Sequence, residues 1–531
     1  MSPPDDLDSL SPAALKALLI PLLEEMAGLK QIILEQRQEI ARLKGLKGKP
    51  DIKPSTPSGM DKATEKKLSG AERREKRRRG AKRPSVPVEN RVVVAETIPP
   101  GSQRKGYENF TVQDIKIEVS VVCYRRERWL TPDGRTVVAP LPPGIGDHFG
   151  PELKRFILAQ YYQGQTTVPR LVELLGMLGL DISKRQVVRI LTEAKQAFVT
   201  EARDVLRAGL AHADWIAVDD TGARHKGKNG VCTTIGNDVF TFFATTGSKS
   251  RANFLGLLRA GHADFVLNKA AFAYMRERKL AASAIAKLEG NPQQRFADDQ
   301  AWHAHLKALG ILASKRPLDP ATIATEGAMW GAIMDHGFIK DAVILSDDAG
   351  QFNVGTHALC WVHAERLVHK LETFTAATRK AKDDIRALIW AFYADLKAYR
   401  AAPDPGRKSE MKQRFNQIFK RRTGFATLDR LLARLYANKK ELLRVLDRPK
   451  TPLHTNATEN DIRCQVTRRK ISGTTRSDDG KECRDAFLSI FKTCRKLGIS
   501  FWEFLGTRLG AAVTNPVPPL PQIVADRYAP A

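Results

Sequence analysis

The sequence predicts an α/β fold, and three observations predict it. After residue 212, "WIAVDD", "GVCTTIG" and "VFTFFATT" are short β-rich runs separated by "GKNG" and "GND". Asn-Gly and Gly-Asn turns between such runs predict two hairpins, hence three consecutive antiparallel strands. "DAVILSDD" (341–348) reads as a buried strand that ends in acids. Helical patterns before, between and after these runs make the class mixed.

The chain of 531 residues is long enough for about two to four domains and a sizeable core. Its formal net charge is +27, from 86 Lys+Arg against 59 Asp+Glu. Such an excess implies a polyanionic partner, most often nucleic acid. No run of about 18 apolar residues occurs, so no membrane span is predicted. The opening "MSPPDDLDSLSP" is acidic and lacks an apolar core, unlike a secretory signal. Six scattered cysteines never form a C-x-x-C pair, which argues for reduced thiols in a cytosolic compartment and against a cysteine-based zinc site.

The elements then follow in order. Leu15, Leu22, Leu29 and Leu43 recur at seven-residue intervals, with Gln36 in the missing place. Leu19, Met26, Ile33 and Ile40 form a second series offset by four. Two interleaved heptad series describe a coiled-coil seam within 1–45, weakened in its first half by Pro21 and Gly28. Self-association into a homo-oligomer is expected, although a helix packed on its own protein has the same pattern.

Residues 46–106 are rich in Lys, Arg, Pro, Ser and Gly. The run "KATEKKLSGAERREKRRRGAKR" (62–83), which contains Arg77, Arg78 and Arg79, has too few apolar residues to build a core. It is expected to be a disordered basic arm on DNA, or a solvated linker. Residues 107–148 are expected to be a small β-rich module, because "VQDIKIEVSVVCYRRERW" alternates and "TPDG" (131–134) supplies a turn.

A helical block spans 149–211. Within it, "VPRLVELLGMLGLDISKRQVVRILTEA" (168–194) gives a helix, a Gly/Asp turn and a second helix, opened by a capping box of Ser183 and Gln186. A helix–turn–helix-like DNA-binding region is expected, with Lys184, Arg185 and Arg189 near the start of the second helix. Many helix pairs of this shape never touch DNA. Residues 212–506 hold the strands, with mostly helical insertions near 270–335 and 370–450, and a Pro-rich tail occupies 507–531.

Two strands thus end in acidic pairs, Asp219/Asp220 and Asp347/Asp348. Charges at the rim of a core are costly unless paired or bound to metal. Adjacent strand residues point to opposite faces, so one member of each pair faces a given site. Asp also begins turns, and one pair alone would say no more than that. Two pairs, a basic chain and a helix-borne Glu together favour a metal site. Hard Mg²⁺ takes a few carboxylates plus water and phosphate oxygens, and two ions about 3.5–4 Å apart can serve both oxygens of a phosphodiester displacement.

Competing motifs fare worse. "GARHKGKN" (222–229) fails as a P-loop because Asn229 replaces the hydroxyl and the stretch lies between strands. "CWVH" (360–363) sets Cys360 and His363 at a ligand spacing without a second pair, so no zinc is expected there. Neither G-x-S-x-G nor H-E-x-x-H occurs.

The stretch "HTNATENDIR" (454–463) has two readings. Asn456 followed three residues later by Glu459 is a capping box, which would make Glu459 a helix-start residue only. Alternatively, Glu459 is a lone carboxylate on a first helical turn, awaiting acids from elsewhere. Arg463, one turn on, either contacts a phosphate or pairs with Glu459.

"WIAVDDTGAR", "LSDDAGQF…HALCWVHAERLVHKL" and "HTNATENDIRCQVTRRK…SDDGKECRDAFLSIFKTCRKLGISFWEFL" resemble, in order, three blocks of the insertion sequence 66 family of transposases. The resemblance covers about 212–506. It implies a ribonuclease-H-like catalytic core with a mostly helical insertion before the Glu. It places Asp219, Asp347 and Glu459 as the DDE carboxylates, holding Mg²⁺ (or Mn²⁺), two ions. Cys360, His363 and Arg366 match the second block, and Arg463, Arg469 and Lys470 the third, where they are expected on DNA. The implied activity is metal-dependent cleavage at element ends followed by strand transfer to target DNA, in a bacterial, nucleoid-associated protein with or without companion proteins of the same element. A nuclease without strand transfer and an inactive DNA-binding protein are the alternatives. The family's Cys-rich zinc module is expected to be absent or degenerate, since residues 86–145 contain only Cys123.

Overall fold

The computed structural model describes residues 11–43, 88–95, 97–142, 146–313 and 319–529. The basic arm with Arg77, Arg78 and Arg79 lies outside them. Helix α1 (Pro12–Leu43) runs unbroken through Pro21. It leaves its apolar seam in solvent, with Leu19, Leu22, Met26, Leu29 and Ile33 all exposed.

The alternating stretch 112–127 forms no sheet. Alternation marks a face, but a ladder needs a partner strand with its own apolar face. Only β1 (Arg128–Leu130) and β2 (Thr136–Val138) pair, antiparallel, around a turn completed by Gly134 at φ +78.

Four α-helices follow: α2 (Pro151–Leu158), which runs on as a π-helical turn over Ala159–Gln163, α3 (Val168–Met177), α4 (Lys184–Thr192) and α5 (Gln196–His212). Helix α4 starts on Ser183, whose Oγ accepts from the Gln186 N–H at 3.2 Å, while Gln186 Oε1 accepts from the Ser183 N–H at 2.8 Å. This reciprocal cap satisfies two backbone donors that a helix start otherwise leaves free. The helix buries Val187, Ile190 and Leu191. Lys184 and Arg185 face solvent, and Arg189 pairs with Glu193 at 2.8 Å.

Strands β3 (Trp215–His225), β4 (Lys228–Gly236) and β5 (Thr241–Thr246) form an antiparallel meander. The first hairpin turns at Lys226 and Gly227, both at positive φ, and not at Asn229-Gly230. Register decides this. Gly230 sits under the Thr246 carbonyl, where a Cβ would approach the oxygen to 2.7 Å, so this glycine is needed inside β4.

A helical segment comes next: α6 (Arg251–Leu258), β6 (Phe265–Val266), α7 (Lys269–Glu277), α8 (Ala282–Glu289), β7 (Arg295–Phe296), α9 (Asp299–Ala308) and α10 (Pro320–Asp335). Helix α10 is buried on almost every side, in keeping with its apolar composition. The chain then returns to the sheet with β8 (Val343–Ser346) and β9 (Thr356–Leu359). The sheet order is β5-β4-β3-β8-β9, with β8 parallel to β3 and β9 parallel to β8.

Helices α11 (Trp361–His369), α12 (Ala376–Ala401), α13 (Arg407–Phe419), α14 (Ala426–Ala437), α15 (Lys439–Leu442) and α16 (Arg444–Asp447) build a module with its own core around Trp361, Phe392, Phe415 and Leu432. Last come α17 (Asn456–Ser472), α18 (Asp478–Leu497), α19 (Phe501–Leu509) and α20 (Leu520–Asp526). Helix α18 covers β5, where Ser489 Oγ accepts from the Phe243 N–H at 2.8 Å. The stretch expected as a Pro-rich tail folds back as α20, burying Leu520 and Val524 against α5. Among the described residues no helix is long and apolar enough to cross a membrane.

Candidate active site

Parallel pairing of β3 and β8 aligns Ala217 with Leu345. Carrying that register two residues on sets Asp219 beside Asp347, just past the end of β8. Strand β3 does not end at its acidic pair, contrary to expectation, but runs on to His225, because its ladder with β4 continues to the Lys226-Gly227 turn. The neighbours of Asp219 and Asp347 are tied off. Asp220 is paired with Lys249 and accepts from Gln351 Nε2 at 2.6 Å. Asp348, at φ +78, takes Arg434 Nη2 at 2.7 Å and Asn438 Nδ2 at 3.3 Å. Asp219 and Asp347 carry no such Lys or Arg partner among the described residues. Asp219 accepts only from the Asp220 N–H at 2.7 Å, and Asp347 from the Ala349 N–H at 3.1 Å.

Glu459 approaches the His363 side chain from α17. The residue that caps this helix is Thr455, which makes no side-chain capping bond, and Asn456 is already helical. The capping-box reading of Asn456 and Glu459 therefore fails. The shift has a cause: Thr455 Oγ1 lies 3.5 Å from Cys360 Sγ, and the Trp361 N–H donates to Leu453 O at 2.9 Å. These contacts hold the start of α17 against the start of α11 and turn Glu459 toward α11.

On α11, His363 and Arg366 are one turn apart and share a face. His363 Nε2 lies 3.4 Å and Arg366 Nη2 3.7 Å from Glu459 Oε1. That buried oxygen accepts no hydrogen bond. Arg463, in contrast, is exposed and donates to Asn460 at 3.2 Å, so of its two readings the pairing with Glu459 is not formed. Arg469 is half-buried and donates to the Gly222 carbonyl, which makes it a brace between α17 and β3. Lys470 faces solvent.

The electrostatics follow from this crowding. Burial and then the Asp347 charge push the Asp219 carboxyl up to about 7. Burial alone would lower His363, but Cys360, Glu459 and Asp347 outweigh it and hold the imidazole at about 9. The Cys360 thiol is lowered despite burial, because His363 sits beside it. His363 is thus a cation shared by all three carboxylates. These do not all come within 4.8 Å of one another.

A pocket of about 190 Å³ opens beside Asp347, lined by His363, Arg366, Lys370, Arg434 and Asn438. A larger one, about 350 Å³, lies between Leu306, Ile311 and Thr322 and gathers no converging acids. Of the groups that sequence reasoning missed, Gln351 follows closely on Asp347 and Asp348 in sequence, and Lys249 lies just after β5 in the same meander as Asp220. Lys370, Arg434 and Asn438 are brought in by the helical module and leave no local signal.

Comparison with known proteins supplies the lineage. Residues 146–254 and 336–483 match the model described as "Transposase IS66 family". The chain is also 48% identical over 323 residues to the uncharacterized protein y4jO of Sinorhizobium fredii (strain NBRC 101917 / NGR234), which covers 61% of this chain and 100% of that protein. The chain belongs to the IS66 transposase family. Asp219 falls in the first stretch matched to the family, and Asp347, Cys360, His363, Arg366 and Glu459 fall in the second. The IS66 match leaves out 255–335, the segment that carries β6 to α10.

Proposed function

We propose that the chain is a DNA transposase of the DDE type, which binds element ends, cuts the phosphodiester there and joins the freed 3′-OH to target DNA. The observation that carries this reading is the placement of Asp219 beside Asp347, each without a lysine or arginine partner among the described residues while its neighbour is paired with one. Glu459 approaches from a separate helix and shares His363 with both. The sheet order supports a ribonuclease-H-like core, with the first acid on the central strand and the second on its parallel neighbour.

The residues fit a divalent metal centre. Two mutually repelling carboxylates and a buried Glu459 oxygen without a hydrogen bond are the hard oxygen donors that Mg²⁺ or Mn²⁺ takes. Asp219, Asp347 and Glu459 would hold the ions. When bound, a pair of such ions activates the attacking oxygen and stabilises the leaving one. The chain's own groups do the positioning. His363 and Arg366 hold Glu459 in place, and Lys370 sets positive charge at the pocket wall, where phosphate oxygens would be drawn. Lys184 and Arg185 at the start of α4, and Arg463 and Lys470 on α17, are exposed cations available to the DNA backbone. The exposed seam of α1 supports self-association.

The test is Glu459→Gln. The amide preserves size and removes the charge a metal needs. The expected outcome is near-native melting and DNA binding with cleavage and joining lost in Mg²⁺ or Mn²⁺. Near-native cleavage and joining by the variant would end the assignment.

A further inference from the structure

Away from the carboxylates, three donors meet where the segment missing from the family match leaves the core and returns to it. His262 and Asp264 lie just after α6, and His336 caps the C-terminus of α10. One ligand atom from each lies within 4.8 Å of the other two. His336 Nε2 stands 2.9 and 3.0 Å from the two Asp264 oxygens, and the His262 and His336 rings stack with centroids 3.7 Å apart. Ligands about 2.0–2.2 Å from a tetrahedral ion are themselves roughly 3.3 Å apart, and two imidazoles on such an ion have ring centres roughly 5 Å apart. The stacked rings therefore have to swing apart by more than an ångström for both lone pairs to meet one ion.

We propose that His262, Asp264 and His336 form a binding site for one divalent transition metal of the zinc class, which clips the segment 255–335 to the core at its two ends. Two imidazoles and one carboxylate suit zinc, cobalt or nickel, whereas magnesium prefers oxygen donors alone. The fourth position is open to water, since all three residues are only partly buried.

The backbone presents the donors firmly. Ala260 and Gly261 both have positive φ, and a Cβ on Gly261 would meet Arg203 Cδ at 2.3 Å, so the turn that delivers His262 requires glycine. Arg259 Nη1 donates to the Ala263 and Asp264 carbonyls at 2.9 Å each, fixing the chain around Asp264. The His336 N–H donates to Ala332 O at 2.9 Å, and buried Phe338 lies beside both rings. Burial, then His336 and Arg207, hold the His262 imidazole below its ordinary pKa, which leaves a lone pair for a metal. Arg207 is engaged by Asp204 at 2.9 Å. A plain ion pair accounts for Asp264 and His336 but gives His262 no part.

The experiment uses the full chain carrying Asp219→Asn and Glu459→Gln, so that metal uptake at the carboxylates is suppressed. The protein is stripped with chelator and titrated with Co²⁺, then with Zn²⁺. The expected result is one equivalent of Co²⁺ with visible ligand-field absorption, displaced by Zn²⁺, and slower proteolysis within 255–335 when metal is bound. Asp264→Asn and His262→Ala should each weaken binding by more than the roughly 10–100-fold that outer-shell changes cost. His262→Ala leaves the His336–Asp264 pair in place, and a melting curve matching the parent's shows that its loss of binding is not loss of fold. Absence of the absorption band, or a band unchanged in His262→Ala, overturns the proposal and leaves the trio an ion pair with a stacked ring.

Discussion

Asp219→Asn should stabilise the metal-free protein while abolishing its chemistry, and the gain should grow with pH. The carboxyl is held at about 7 in the fold by burial and by Asp347, against 3.8 in an unfolded chain. Between those values the folded state binds more protons than the unfolded one, so stability falls as pH rises through the window and the loss is complete above pH 7. At about 1.36 kcal/mol per pKa unit, the ionised group costs the fold about 4 kcal/mol at pH 8 and roughly 1.5 kcal/mol at pH 5. Asn removes that charge and keeps an oxygen for the Asp220 N–H that Asp219 now accepts. Melting in the presence of chelator, at pH 5 and pH 8, should show the variant's advantage widening by roughly 2–4 °C between the two, the shift expected for about 2.5 kcal/mol in a chain of this size. Added Mg²⁺ should raise the wild-type midpoint at pH 8 and leave the variant's unmoved. An equal gain at both pH values, or none at pH 8, would refute the claim that Asp219 is strained by its neighbour.

Deleting residues 1–45 should lower the sedimentation mass, because the exposed seam of α1 lies there; an unchanged mass removes that helix as an interface. Neutralising Arg77, Arg78 and Arg79 should flatten the slope of log K against log[salt] by roughly 0.9 for each phosphate no longer neutralised, read by fluorescence anisotropy across a salt series. Gly331→Ala would place a methyl 2.0 Å from the Val266 carbonyl and should cost at least about 1–3 kcal/mol in a denaturation curve. Gly256→Ala, whose new methyl would meet only Met329 Cε at 3.7 Å, should change that curve little.

What could be read in advance was local. The three antiparallel runs and the acid after β8 show in composition and alternation, whereas β3 runs past its acids to His225; the Ser183–Gln186 cap is a local pattern that needs nothing else. The same pattern misled at Asn456–Glu459, because contacts of Thr455 and Leu453 with α11 moved the helix start by one residue. Asn229-Gly230 likewise lost the turn to Lys226-Gly227, for a reason lying sixteen residues away in the approach of Thr246. Alternation over 112–127 promised strands, but sequence alternation cannot supply a partner. The candidate site was legible as acids and opaque as electrostatics. Which acids are neutralised depends on Lys249, Gln351, Arg434 and Asn438, and the last two belong to a helical module with its own core.

The grip of Arg434 and Asn438 on Asp348 bears on how this architecture can be recombined. Both reach from the end of α14 into the loop that carries Asp347, and they hold Asp348 in a left-handed conformation that side chains rarely adopt. The α11–α16 module is therefore coupled to the position of the second acid. A chimera that swaps this module between relatives has to carry the 347–349 loop with it. One joined cleanly at the ends of β9 and α17 would keep all three acids and still misplace Asp347.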